Sequence, residues 1–150
     1  MRVWRIAPAA HPLFDGEGTR RFGGRWVPRG LRAVHASATL SLAALELLVH
    51  SDTDLLPQKL VSVVVEIPAA TAMTTIKASQ LAADWRNFPP PPALQAIGAA
   101  WLADAATAVL VVPSAIIPVE HNFLLNPLHA DFAIFSLGRP QPFTLDRRLG

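Results

Sequence analysis

The sequence predicts one α+β domain spanning residues 1–150, and three observations point to it. The chain has 150 residues, and domains cluster near roughly 100–150 residues. It is 51% hydrophobic and only 16% charged, so it can bury enough apolar surface to offset the entropy of ordering, which excludes a disordered chain. No Gly period or heptad charge pattern supports a collagen or a coiled coil. Apolar β-branched runs outnumber helical runs and do not alternate with them regularly, so a doubly wound parallel sheet is not expected. No internal repeat or second domain is evident.

Taken in order, Val3–Ile6 reads as a short strand. Residues 7–31, rich in Gly, Pro and Arg, read as a long irregular segment, of the kind that in a small domain carries function. Ala33–Ser37 is a strand. Leu40–His50 is a helix with Thr39 or Ser41 as its N-cap, and Leu42, Leu45, Leu48 and Val49 form its apolar face. Leu60–Ile67 is a buried strand ended by Pro68. Thr74–Lys77 is a further short strand. Pro89–Pro92 is a rigid connector, and its last proline suits the first turn of a helix over Ala93–Ala105. Ala108–Val112 is a core strand halted by Pro113. A polar loop then runs to His129, and Asp131–Leu137 and Pro142–Leu145 are the last strands.

The pI of 9.9 suggests a nucleic-acid binder, but net charge is only +2, with no Tyr and no Cys. Almost nothing titrates between neutrality and pH 10, so a small surplus carries the pI far upward. The arginines are concentrated in residues 1–50, and Arg20, Arg21, Arg25, Arg29 and Arg32 fall in a stretch without an acid. A planar guanidinium fork suits phosphate better than an ammonium does. Without cysteine there is no disulfide, thiolate nucleophile or sulfur-ligated metal. His11, His35, His50, His121 and His129 show no metal-binding spacing, so no metal is expected. No apolar run reaches signal-peptide character or the ~18 residues of a membrane span. The expectation is a soluble cytoplasmic protein with no membrane contact.

Several positions carry candidate chemistry. Gly16 and Gly18 make a GxG without the strand and helix that a dinucleotide fingerprint needs. Gly23-Gly24-Arg25-Trp26 combines backbone freedom, a guanidinium and an apolar anchor. Glu46 is a carboxylate inside an apolar helix. Facing inward it suits catalysis, whereas helix periodicity alone leaves it on the solvent face. Ser114 closes a hydrophobic strand but lacks the GxSxG elbow of a serine hydrolase. Asn122, Asn126 and His129 follow in a loop rich in polar side chains.

In order, GEGTRRFGGRW, AVHASATLSLAALELLVH and VLVVPSAIIPVEHNFLLNPLHADF resemble the RES-domain family, named for its Arg, Glu and Ser, from about Val3 to Phe135. The resemblance implies a fold similar to ADP-ribosyltransferase toxins. It implies a toxin of a bacterial toxin–antitoxin pair that degrades NAD, releasing nicotinamide by phosphorolysis or hydrolysis. NAD is then substrate rather than cofactor, with inorganic phosphate as a candidate co-substrate, and the expected partner is an Xre-like helix-turn-helix antitoxin. The motifs place the family's Arg at Arg25, its Glu at Glu46 and its Ser at Ser114. His35 stands where the family usually has Tyr. The reading assigns NAD contacts to Arg25, His35, Ser114, Asn126 and Arg21, with Arg20 as an alternative to Arg21. A His35 that titrates near neutrality would oppose the cationic nicotinamide, so activity is expected to fall as pH drops through its titration. Protein ADP-ribosylation at the same site is the first alternative. A non-enzymatic nucleic-acid-binding module is the second, although the aromatic-basic interleaving of such modules is missing. Homo-oligomer formation is left open.

Overall fold

A computed structural model describes residues 1–50 and 59–149. It has an eight-stranded sheet with helices against it: β1 (Arg2–Pro8), α1 (Glu17–Phe22), β2 (Val34–Ser37), α2 (Leu40–His50), β3 (Leu60–Glu66), β4 (Met73–Thr75), α3 (Pro92–Asp104), β5 (Val109–Pro113), β6 (His121–Leu125), β7 (Ser136–Leu137) and β8 (Gln141–Phe143). The strand order is β4-β5-β6-β2-β1-β3-β7, with β8 also on β3. Only β4 and β5 run parallel.

The central strands are buried on both faces, which explains their unbroken apolar character. From β5, Val109 and Val111 join Val3, Val34, Val65, Phe123 and Leu125 in one core. Leu110 and Val112 face the other way, into a core with Leu124, Trp26, Trp85, Leu94 and Trp101. Helix α3 seals that second core. Its Gly98 lies so close to the preceding segment that a Cβ there would stand 1.8 Å from the Trp26 carbonyl oxygen.

Four expectations need correction. The polar loop before His129 contains strand β6, which pairs with both β2 and β5. Its two leading polar residues disguise it: His121 is exposed and Asn122 half-buried at the start of an otherwise buried HNFLL. Asp131–Leu137 is not a strand: Ala130–Ile134 forms a 3-10 turn, and only Ser136 and Leu137 pair with β3. Helix α1 interrupts the segment read as irregular, starting directly after Gly16. Val49 is exposed rather than part of an apolar face, because α2 buries its Leu42 and Ala43 end and leaves its C-terminal turn beside a cleft.

Two details position that cleft. Thr39 is the N-cap of α2, its Oγ1 accepting the Leu42 amide at 3.0 Å. Strands β1 and β2 are in register only at Trp4 and Ser37, and towards the start of β2 they part.

Candidate active site

Period-two alternation sets the floor of the site. On β2, Val34 and Ala36 enter the first core, so His35 and Ser37 face the opposite side. Asn122 of β6 is registered with Ser37 and shares that face. Helix α2 lies over it and brings in Glu46 and, one turn later, His50. The result is a cleft of about 830 Å³ whose lining includes Arg5, Gly24, Arg25, His35, Glu46 and His50. A smaller chamber of about 200 Å³ shares Arg5, His35, Glu46, His50 and Asn122 as its wall.

Glu46 points inward, and its side chain is only 20% exposed. Its two oxygens are differently employed. Oε1 accepts the Ser114 hydroxyl at 2.9 Å and the Asn122 amide at 2.6 Å. Oε2 faces His50 Nε2 at 3.4 Å and is otherwise open to the cleft. Burial acts to raise the Glu46 carboxyl, but hydrogen bonds from His50, Asn122 and Ser114 outweigh it and hold it below the ordinary carboxylate value. The carboxylate is therefore ionised at neutral pH.

Ser114 and Asn122 are themselves held in place. Ser114 is fully buried; its Oγ donates to Glu46 and accepts the amides of Ile116 and Ile117, both at 3.1 Å. Its only hydroxyl proton is thus committed, and it reaches the chemistry through the carboxylate. Ser37 donates to Asn122 Oδ1 at 2.7 Å, which orients the Asn122 amide towards Glu46.

His35 is half-buried beside Gly24. Thr19 Oγ1 donates to the Ala33 carbonyl at 2.9 Å and lies 3.3 Å from His35 Nδ1. That hydroxyl has one proton, so Nδ1 carries its own and Nε2 is left as the free acceptor. Burial, reinforced by Arg5 and His50, lowers the His35 pKa to about 4. This corrects the expectation of a titration near neutrality: the ring is neutral throughout pH 5.5–8 and places no charge against a cationic ligand.

The guanidinium groups divide by role. Arg25 does reach the cleft, on the turn opened by Gly23, whose φ of 68° favours glycine. Its Nη1 is committed to the carbonyls of Trp85 and Asn87, both at 2.9 Å, leaving Nε and Nη2 for a ligand. Arg5, absent from the sequence-based site, spans the opening between β1 and β2. Its Nη1 donates to the His35 carbonyl at 3.1 Å, while its buried Nε has no hydrogen-bond partner among the described residues. Arg20 is paired with Glu17, as is Arg32, so neither is a free phosphate ligand. Arg21 is exposed and stands 5.8 Å over the Phe22 ring, outside the cleft lining.

Asn126 also lies outside the cleft. It is buried, and its Oδ1 accepts the Leu128 amide at 3.0 Å in a local turn. Asn122 occupies the place expected of it. The Glu46–His50 spacing of four residues on a helix was a readable signal for His50. Nothing in RVWRIAP marks Arg5 as inward.

A family model, the RES domain, matches residues 2–146. The chain belongs to the RES-domain family. Among curated relatives, it is 34% identical over 152 residues to "Toxin Res" of Yersinia enterocolitica, covering 99% of each chain. It is 34% identical over 134 residues to the "Prs ADP-ribosylating toxin" of a Sphingobium species, covering 85% of this chain and 83% of that one. Among solved structures, the toxin–antitoxin complex MbcT–MbcA of M. tuberculosis contains a chain that superposes with a TM-score of 0.80. That match covers 95% of this chain and 84% of the other at 18% identity, a likeness of fold. This RES domain contains no group of three His, Asp or Glu residues that could hold a metal ion among the described residues. No described helix is long and apolar enough to cross a membrane.

Proposed function

We propose that this RES domain is the toxin of a toxin–antitoxin pair and consumes NAD by breaking its nicotinamide–ribose bond. The observation that carries the reading is the asymmetric Glu46 carboxylate: ionised, one oxygen saturated by Ser114 and Asn122, the other presented to a cleft lined by the guanidinium groups of Arg5, Arg25 and Arg86.

In that reaction the bonding pair leaves with the nicotinamide nitrogen, which becomes neutral, and positive charge develops on the ribose, as in glycoside cleavage. Glu46 Oε2 stabilises the charge without first having to lose a proton or reorient. Arg5, through the part of its guanidinium that lines the cleft, and Arg25, through Nε and Nη2, oppose the pyrophosphate. His35 offers a neutral ring and an acceptor nitrogen to the nicotinamide. An oxygen of water or phosphate closes on the ribose carbon; where water attacks, its proton passes to Glu46 or His50. Ser114 and Asn122 are positioning residues that hold the carboxylate.

Glu46→Gln keeps an acceptor for Ser114 and Asn122 but removes the charge. It is expected to leave the protein folded and to lower NAD loss by about a hundredfold or more, as loss of a main electrostatic group does. Undiminished NAD consumption by that variant overturns the reading. Incubation of the wild type with NAD, with and without inorganic phosphate, followed by mass analysis, separates the acceptors: ADP-ribose phosphate marks phosphorolysis and free ADP-ribose hydrolysis.

Protein ADP-ribosylation is the second reading, supported by the likeness to the Prs ADP-ribosylating toxin of the Sphingobium species. It expects label from adenylate-tagged NAD on a protein target. The partner we propose is an antitoxin, of Xre-like type, that docks over the cleft.

A further inference from the structure

The segment following the 3-10 turn at Ala78–Gln80 holds an aromatic ring that no packing uses. Phe88 is 81% exposed, yet its neighbours are anchored from two sides. Trp85 is buried with its ring 6.3 Å from that of Trp26. Arg25 Nη1 ties down the carbonyls of Trp85 and Asn87. Arg86 Nε donates to the Ala115 carbonyl at 2.8 Å, and its Nη2 reaches the Ile116 carbonyl at 3.5 Å. A single exposed Phe is ordinary on a protein surface. One held on a doubly anchored loop at the rim of a cleft is preorganised for a ligand.

Phe88 lines the same cleft as Glu46, and so does Phe22 at the end of α1, itself 76% exposed. Within that lining Glu46 is largely buried, whereas the two phenyl rings are the solvent-exposed part. A substrate whose reacting bond lies at Glu46, and whose phosphates lie at Arg5 and Arg25, leaves its far end at these rings. In a nicotinamide dinucleotide that end is a purine, a flat π-surface that stacks on aromatic side chains without needing a hydrogen-bond code. We propose that Phe88, on its anchored loop, is the stacking platform for the purine base, with Phe22 as a second apolar wall. This assignment rests on the NAD reading above.

The test measures NAD consumption and, by calorimetry, the binding of ADP and of nicotinamide mononucleotide, which has no purine. Phe88→Ala is expected to raise KM for NAD and weaken ADP about tenfold, in line with one lost base stack, while nicotinamide mononucleotide changes less than twofold. Phe88→Trp is expected to restore ADP binding. Equal weakening of both ligands would make Phe88 a structural residue and overturn the proposal, as would ADP binding and KM unchanged by Phe88→Ala. A wild type that neither binds ADP nor consumes NAD would overturn the NAD reading itself.

Discussion

Arg5 and Ser114 show how differently two polar residues can serve one carboxylate site. Ser114 spends every hydrogen-bonding capacity of its hydroxyl on Glu46, Ile116 and Ile117. Arg5 keeps its Nε buried and, among the described residues, without a hydrogen-bond partner, an arrangement that costs free energy. Burial also lowers its pKa, against a smaller opposing effect of Asp15. The part of its guanidinium that lines the cleft would give a phosphate oxygen a charge-assisted bond worth about 1.5–3 kcal/mol. Arg5→Met is therefore expected to raise KM for NAD by about ten- to a hundredfold. Its resistance to denaturant should stay close to that of the wild type, because the unsatisfied Nε is removed together with the bond from Nη1 to the His35 carbonyl. An unchanged KM would show that Arg5 does not meet the substrate.

The elements place the site by what they leave unpaired as much as by what they pair. Strands β1 and β2 separate beyond the Trp4–Ser37 pair, towards the start of β2, so Arg5 reaches across to the His35 carbonyl. Helix α2 lies as a cleft wall, which explains why a carboxylate and a histidine share its inward side and why Val49 is exposed. Helix α3 supports the opposite wall by holding Trp26 and, through it, the Gly23–Trp26 turn. Gly98 is its point of closest approach, and any Cβ there meets the Trp26 carbonyl oxygen. Gly98→Ala is expected to destabilise the fold by about 3 kcal/mol, at the upper end of overpacking costs. It should also lower activity in step with displacement of Arg25. Denaturant unfolding together with NAD turnover checks this; a neutral effect on both would mean that α3 shifts freely.

At the scale of the whole molecule, burial of His35 links the site to stability. The folded ring takes up a proton only near pH 4, against 6.5 for an unperturbed histidine. Between those values the unfolded chain binds a proton that the folded chain refuses, so stability falls as pH drops from 6.5 towards 4. The full effect of such a shift is about 3 kcal/mol, reduced by the partial exposure of the ring. Unfolding measured at pH 6.5 and 4.5 is expected to show a larger loss for the wild type than for His35→Gln. Equal losses would place the coupling elsewhere. Through pH 5.5–8 the ratio of the two activities should stay constant, since His35 carries no charge there.

Much of the molecule was legible without coordinates. Runs such as Leu60–Glu66 and Val109–Pro113 are apolar and β-branched enough to declare buried strands, and Thr39 with LSLAALELLVH declares a capped helix. The spaced motifs singled out Arg25, Glu46 and Ser114. What the chain alone could not convey were relations across long sequence separations. Strand β6 was hidden because it begins with an exposed His121 and with Asn122, which is polar for the site's sake, 76 residues from the carboxylate that it serves. Asn126 looked equivalent to Asn122, but a shift from the strand to the turn after it sends one amide to Glu46 and the other to a backbone amide. Arg5 and the loop that carries Phe88 acquire meaning only where the sheet opens. Local pattern determined the elements, because propensity and periodicity act over a few residues. Tertiary structure alone decided which polar atoms meet, because burial, orientation and orphaned donors are properties of the packed surface between elements.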